Sequence, residues 1–468
     1  VGRELLGGAE PAGVAEDLPG RPVESVRALA ELGRRLEGAL GEGRELQGVL
    51  AALGGRYVVP GLGADPIRNP SALPTGRNLH GLSPDHVPSA PATAVARVTA
   101  ERFLRRVVAE RGSWPDTVAV VLWAMDNIKT GGESLALVLE LLGVSLLADG
   151  LGRLRVVQVR PLDELGHPRI DVVVTVSGIF RDVFPGASAL LDEAVRLVAD
   201  LDEPPESNRV RKRVLGLVAA GVDPAEARTR IFGNGPGAYG GNVNRAVESG
   251  AWEDAADLAR MFRRRKSFAF VPGEGLVRKE ELFDRLAGEA DCVLQSIDSV
   301  DIGLSDVDHY FDYLGGLSLV ARARRGVDPD VYLADTTTAL GRVDRLEEVS
   351  AREARVKLLN PRWHEAMLAH GYEGVRELAT RLENLYGLSA TTGKVGGWVF
   401  DETVRTFVGD AAMAARLERA NPDAFRSMLR TLTEARDRGL WTPDEGLGEV
   451  LDAREERASD LAEFPGEV

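Results

Sequence analysis

Val118-Ala119-Val120-Val121-Leu122-Trp123-Ala124-Met125-Asp126-Asn127-Ile128-Lys129-Thr130-Gly131-Gly132-Glu133-Ser134-Leu135 runs from one apolar segment through a knot of polar groups into another, Leu135 to Leu142. The first segment predicts a buried strand over 117–123 and the second a helix. Between them stand Asp126, Asn127, Lys129, Thr130, two glycines and Glu133. Open α/β sheets carry their chemistry between a strand's carboxyl end and the next helix's amino end. The glycines let backbone approach a ligand closely, and the helix start offers unpaired N–H groups.

The pattern repeats outward. A helix over 94–111 leads into the strand at 117–123. A short strand is expected at 156–159, a buried strand at 170–177 and a helix at 188–201. Later strands are expected at 292–295 and 331–334. This alternation predicts an α/β fold with a mostly parallel sheet covered by helices. After about residue 340 the strands are expected to stop, and amphipathic stretches at 341–358, 372–385 and 409–439 predict a helical carboxyl-terminal region. Upstream, Val23, Val26, Leu29, Leu32, Leu36 and Leu40 keep helical spacing. Between them and the α/β region, Pro60, Pro66, Pro70, Pro74, Pro84 and Pro88 sit among glycines in an irregular strap, too long for an idle linker. The expected organisation is a helical segment at 1–56, a Pro/Gly-rich strap at 57–91, an α/β region at 92–340 and a mainly helical region at 341–468. The chain opens at Val1 without Met, and a piece of something longer is expected.

Composition narrows the function. A hydrophobic content of 44% and a charged content of 28% are those of a globular protein. A net charge of −15 argues against nucleic acid as a partner. Cys292 is the single cysteine, which excludes an internal disulfide and a CxxC cluster and fits the reducing cytoplasm. No apolar run approaches the roughly 20 residues of a membrane span. No P-loop, H-E-x-x-H or G-x-S-x-G is present. Gly235-Pro-Gly-Ala-Tyr-Gly240 has the form G-x-G-x-x-G, but Arg228-Thr-Arg-Ile-Phe-Gly233 before it is not a convincing buried strand. A loop packed against a flat ligand or another backbone is the better reading.

Four polar loops follow expected strands: Asp126 to Ser134, Ser177 to Phe184, Gln295 to Asp312, and Asp335 to Thr338. In a parallel sheet they share one edge. Each also has a plain structural reading. Asp126 and Asp335 suit helix caps, Glu133 suits a helix dipole, and Arg181 with Asp182 suits a local ion pair. His309, flanked by Asp306, Asp308 and Asp312, suits a metal ligand, a proton acceptor or a surface turn.

Several of these segments resemble the large (H) subunit of the magnesium chelatase and cobalt chelatase large-subunit family. They are Tyr57 to Pro70, Leu73-Pro-Thr-Gly-Arg-Asn-Leu-His80, Trp123 with Asp126 to Leu135, Pro168 to Val174 and Ser177-Gly-Ile-Phe-Arg-Asp182. Asn242-Val-Asn244, Arg265-Lys-Ser-Phe-Ala-Phe270, Asp308-His-Tyr-Phe-Asp312, Ala334 to Ala339 and Leu359-Asn-Pro-Arg-Trp363 complete the set. The resemblance runs from about Leu50 to about Trp441 and fits a carboxyl-terminal part. It implies a porphyrin-binding subunit that inserts Mg²⁺, as substrate, into protoporphyrin IX on the way to chlorophyll or bacteriochlorophyll. AAA-type partner subunits (I and D) hydrolyse the ATP. Gly131 replaces a usual Tyr. With Pro236-Gly-Ala-Tyr-Gly240 and Gly315-Gly316 it leans toward the cobalt enzyme of cobalamin synthesis, while Asn127-Ile-Lys129, Arg265-Lys-Ser-Phe268 and Asp335-Thr-Thr-Thr338 favour magnesium. A tetrapyrrole-binding module without turnover is the third reading.

Under that resemblance, metal insertion requires holding the macrocycle, removing two pyrrole protons and stripping water from an ion that prefers oxygen ligands. Glu133, His309 and Asp126 are the expected catalytic groups, with His309 as the base. Glu133, Asp312 and Asp335 are the expected carboxylates for the metal. Arg77, His80, Lys129 and Arg181 are expected on the substrate, the cations on its propionates. Tyr239, like Trp123 and Phe180, is expected against the ring.

Overall fold

The computed structural model describes residues 22–62, 72–80, 84–149, 154–271, 273–299, 301–337 and 341–463. The chain divides into two units. The smaller comprises residues up to Ser83 together with Ile128–Gly131. It contains the helices Val23–Gly41 and Glu45–Leu53 and two short strands, β1 (Pro60–Leu62) and β2 (Asn78–His80). The strands pair in parallel, Pro60 with Asn78 and Leu62 with His80. The strap is therefore not wholly irregular. Residues 63–71 and 81–83 of it, and residues 1–21 of the expected helical segment, lie outside the described residues.

The larger unit, Pro84–Asn127 with Gly132–Val468, is built on one eight-stranded sheet. Its central strands are β3 (Thr117–Leu122) and, after a separate hairpin of β4 (Val144–Ala148) and β5 (Leu154–Val159), β6 (Asp171–Val176). Next come β7 (Ile231–Gly233), β8 (Phe268–Val271), β9 (Gly275–Arg278), β10 (Cys292–Ile297), β11 (Asp330–Asp335) and β12 (Arg342–Arg345). The spatial order is β12-β11-β10-β3-β6-β7-β8-β9. The five strands from β11 to β7 are parallel, and β12, β8 and β9 add antiparallel edges. Strands β3, β6 and β10 are buried throughout, because helices cover both faces of a parallel sheet.

Several expectations need correction. Arg228 to Gly233 does end in a strand: Ile231 and Phe232 are buried and pair with Val174 and Thr175 of β6. The strands do not stop at 340, since Arg342–Arg345 pairs antiparallel with β11 before the helix Leu346–Val356 begins. The helix expected from 94 begins at Ala90, inside the expected strap, where Ser89 accepts from the Ala92 N–H. The stretch 126–134 is not all loop: Ala124–Thr130 is a short helix, and Gly132 at φ 95° starts the next helix, Glu133–Leu142. A side chain at Gly132 would meet Val87 at 2.3 Å, so only glycine fits that turn.

The sheet's amino-terminal side is stapled by a buried ion pair, Arg230 to Asp171 at 2.7 Å. The carboxyl-terminal helices brace the other end. Gly387 of Tyr372–Thr392 packs so tightly on Phe311 that a Cβ there would come within 2.7 Å of the ring. Thr391 of the same helix lies against Gly315.

Candidate functional site

Strands β6 and β7 lie on one side of β3, and β10 and β11 on the other. The connections therefore diverge between β3 and β10, where an open parallel sheet leaves a crevice beyond its carboxyl ends. Trp123, just past β3, meets the segment that follows β10. Its ring centre lies 4.9 Å from Tyr310 and 6.2 Å from both His309 and Tyr313.

That segment is held from several directions. Glu353 accepts from the Leu304 and Ser305 N–H groups at 2.8 and 2.9 Å and from the Ser305 hydroxyl at 2.7 Å. Asp306 is taken by Lys357 and Arg381. Asp308 pairs with His309 Nδ1 at 2.8 Å and accepts from Asn244. The three acids beside His309 thus have separate tasks, and only Asp308 touches the imidazole. That hydrogen bond raises the His309 pKa above the ordinary value, and the same contact holds Asp308 below its own. The His309 side chain is exposed, and its contact with Asp308 uses Nδ1. Burial first, then the carboxylates of Asp126 and Asp298, push the Tyr310 phenol well up; Asp126 itself is buried in the short helix that follows β3.

Asp312 lies in a π-helical turn, Phe311–Gly315, and is buried. Its carboxylate accepts from Gly241 N–H at 2.7 Å and Val243 N–H at 2.8 Å, with Asn244 N–H at 3.4 Å. Both of its oxygens are thus engaged by backbone N–H groups of the glycine loop and the helix start after it. Burial raises its pKa, while the N–H donors and Lys266 oppose that. Lys266 is fully buried, donates to Asn234 Oδ1 at 2.6 Å and stands 3.6 Å over the Tyr313 ring. Burial lowers its pKa well below that of an exposed lysine. Asn234 in turn donates to the Gly240 carbonyl at 2.8 Å, and the Tyr313 hydroxyl donates to the Tyr239 carbonyl.

Arg181 also clamps the loop. It donates to the Asn234 and Gly235 carbonyls at 3.1 and 2.9 Å and grips Asp182 with its other nitrogens at 2.7 and 3.0 Å. Arg181, expected on a propionate, is paired with Asp182. Tyr239 is exposed and donates to Asp182 at 3.0 Å. The loop packs against side chains rather than around a phosphate: a Cβ at Gly235 would strike the Phe268 ring at 2.8 Å. Ser177 caps the helix Gly178–Val183 by accepting from Phe180 N–H at 3.0 Å. Ser177→Ala is expected to cost about 1 kcal/mol in urea unfolding; an unchanged midpoint would remove that cap from the account.

The other expected residues fall as follows. Glu133 is buried at the first turn of its helix. Asn127, fully buried, orients that turn by donating to Trp123 O at 2.7 Å and accepting from Leu135 N–H at 3.2 Å. Asp335 closes a local turn, accepting from Thr337 N–H at 3.0 Å and its hydroxyl at 2.6 Å; Thr338 lies outside the described residues. Among the described residues, no three His, Cys, Asp or Glu side chains converge as metal ligands. Glu133, Asp312 and Asp335 are thus not a preformed ligand set. Arg77, His80 and Lys129 belong to the smaller unit. Arg77 is half-buried and donates to Leu73 O at 3.3 Å, and His80 ends β2. Cys292 is buried with its thiol pKa pushed up, an unreactive setting.

Large apolar side chains remain exposed on the loops that follow β3, β6, β7 and β10. Met125 (53% exposed) follows β3, Ile179 (49%) follows β6, Tyr239 (51%) follows β7 and Ile302 (50%) follows β10. Exposed apolar groups on loops that leave the same end of the sheet as a histidine of raised pKa suit an apolar ligand with a proton to lose.

The CobN/magnesium chelatase family matches residues 6–447. The chain belongs to that family. Over 409 residues it is 47% identical to the magnesium-chelatase subunit ChlH, chloroplastic, of Oryza sativa subsp. indica, covering 86% of this chain and 30% of the relative. It is 40% identical over 432 residues to the H subunit of the magnesium chelatase of Rhodobacter capsulatus, covering 92% and 36%. Among solved structures it matches the catalytic subunit of cobaltochelatase from Mycobacterium tuberculosis with a TM-score of 0.86 and 33% identity, covering 98% of this chain and 42% of that one. The chain spans about a third of the length of the curated relatives it matches.

Lys266, Asn234, Asn127 and Asp308 were not singled out from sequence as working residues. For Lys266 a signal existed. Leu258, Ala259, Phe262 and Lys266 share one helical face, and the first three are apolar.

Proposed function

We propose that this chain forms the macrocycle-holding part of a magnesium chelatase large subunit, which inserts Mg²⁺ into protoporphyrin IX in the cytoplasm while AAA-type partners (I and D) hydrolyse ATP. The observation that carries this reading is the exposure of Met125, Ile179, Tyr239 and Ile302 on loops that leave the same end of the sheet as His309. The residues can supply two parts of the reaction. The apolar side chains bury the faces of a flat ring, each contributing on the order of 1 kcal/mol. His309 accepts a pyrrole proton, and Asp308 stabilises the imidazolium that forms. Two N–H protons leave as Mg²⁺ enters, so the charge balances; His309 takes one, passes it to solvent water and then takes the second. Dehydration of Mg²⁺ is the costly step, which gives the ATP-driven partners their place. Asp126 and Glu133, in the short helix after β3 and at the adjoining helix start, are the carboxylates proposed to replace water on the incoming ion.

Titrating the chain with protoporphyrin IX, followed by absorbance and tryptophan quenching, tests the reading. Saturable binding is expected, weakened about tenfold or more by the triple change Met125→Ser, Ile179→Ser and Ile302→Ser. Binding that the triple variant retains in full would refute the apolar face. One observation favours the cobalt enzyme: Gly131 stands at φ 68°, a conformation that suits glycine better than the Tyr usual in the magnesium type. Tighter binding of hydrogenobyrinate diamide than of the porphyrin would decide for it.

A further inference from the structure

Next to the glycine loop, whose Gly240 carbonyl accepts from Arg265 at 3.4 Å, an open groove of about 900 Å³ lies between the turn Gly250–Glu253, the helix Ala255–Lys266 and Arg278 of β9. Asp257, Arg260, Met261, Arg264 and Arg265 line it from the helix. Their spacing of three and four residues places them on a single face. Trp252 and Met261 supply the apolar part, and Arg260, Arg264, Arg265 and Arg278 the cationic part.

The groove's acids are partly spent inside it. Asp257 accepts from Glu253 N–H at 2.9 Å and pairs with Arg260, and Arg278 pairs with Glu280 at 2.5 Å. Arg264 and Arg265 have no carboxylate within salt-bridge distance among the described residues, although Arg264 is exposed and Arg265 half-buried. Trp252 is buried, yet its indole N–H has no hydrogen-bond partner among the described residues. The turn itself is rigidly built. Arg438 stacks 3.9 Å over the Trp252 ring and donates to the carbonyls of Trp252 and Gly250 at 2.8 and 3.2 Å. Arg264, exposed and without a carboxylate partner among the described residues, and Arg265, whose Nε donates to the Gly240 carbonyl at 3.4 Å rather than to an acid, leave positive charge in the groove for an anion to meet.

We propose that this groove binds an acidic segment of a partner protein, with an apolar side chain against Trp252 and Met261 and carboxylates on Arg264, Arg265 and Arg278. The distribution of charge favours a segment over a compact anion. Arg260 and Arg264 are a full helical turn apart, about 6 Å along the axis, and Arg278 comes from a different element. Spaced carboxylates match that layout better than one phosphate does. A long nucleic acid would meet the field of a chain at −15, whereas a short segment engages only the local patch. Arginine beside an aromatic residue is also the composition of an interface centre.

The test uses the purified 468-residue chain and a fluorescein-labelled hexapeptide of five glutamates and one tryptophan, followed by anisotropy at low salt. Saturable binding that weakens with salt is expected. The double variant Arg264→Glu, Arg278→Glu should lose at least tenfold in affinity, while Arg285→Glu, outside the groove, leaves it unchanged. Circular dichroism of each variant separates lost binding from lost fold. No binding up to about 1 mM peptide, or equal affinity in the double variant, overturns the proposal. So does tighter binding of inorganic tripolyphosphate than of peptide, which would make the groove a small-anion site.

Discussion

Asp312→Ala is expected to destabilise the larger unit by about 3–5 kcal/mol, because it strips the acceptor from two buried N–H groups at about 1–3 kcal/mol each and opens a cavity. The donors are Gly241 and Val243, at 2.7 and 2.8 Å. Asn234, which holds the same loop, is already committed to Gly240 and Lys266 and does not replace the carboxylate. The loop from Gly235 to Gly241 would come loose at one end, and Tyr239 with it. Asp312→Asn should fall between, because its amide keeps one acceptor but turns a donor toward a donor. Urea unfolding followed by tryptophan fluorescence measures the cost, and protoporphyrin titration measures the loop. The two roles open to this carboxylate give opposite results. A loop clamp loses stability and ring affinity together. A metal ligand would keep both and lose only insertion, and that outcome would overturn the assignment made from the hydrogen bonds.

The clamp also shows what could be read in advance and what could not. Strands β3, β6, β10 and β11 were legible because a parallel sheet covered on both faces demands unbroken runs such as Val118 to Leu122 and Val172 to Val176. The flanking strands were not. β7 has only Ile231 and Phe232 to show, and β12 reads Arg-Val-Asp-Arg, with charged ends that suit a helix as well as a strand. Their pairing is decided by the neighbour strand, which sequence periodicity does not contain. The four loops at the sheet edge were legible for the same reason as the central strands. The division of labour inside them was not. Arg181 and Asp312 have the charge expected of ligand contacts, and only the arrival of residues 234–244 shows that both are committed to backbone. Lys266 sits in Arg263-Arg264-Arg265-Lys266, which resembles an ordinary basic helix end favoured by the dipole. Its burial depends on Asn234 and Tyr313, 32 and 47 positions away, the first of them through a direct hydrogen bond.

His309→Ala is expected to slow metal insertion by about 100- to 10,000-fold, the usual contribution of a positioned proton acceptor. It should leave porphyrin affinity within a few fold, since in the proposed reading the ring is held by the apolar side chains and not by the imidazole. The measurement is made on the large subunit reconstituted with its ATPase partners, at saturating porphyrin and Mg²⁺. The pH dependence supplies the sharper test. Only the neutral imidazole can accept a proton, so the rate falls as pH drops through the His309 pKa. Asp308 raises that pKa above the ordinary value of about 6.5, which puts the acid limb of the profile higher than a free histidine would. Asp308→Asn removes the raising partner, and the limb should move down toward the ordinary range. The neutral base then persists to lower pH but is weaker, so the plateau rate falls as the limb shifts. A structural role for the pair would lower the plateau without moving the limb. A limb that moves up on Asp308→Asn would contradict the sign of the interaction and remove His309 as the base.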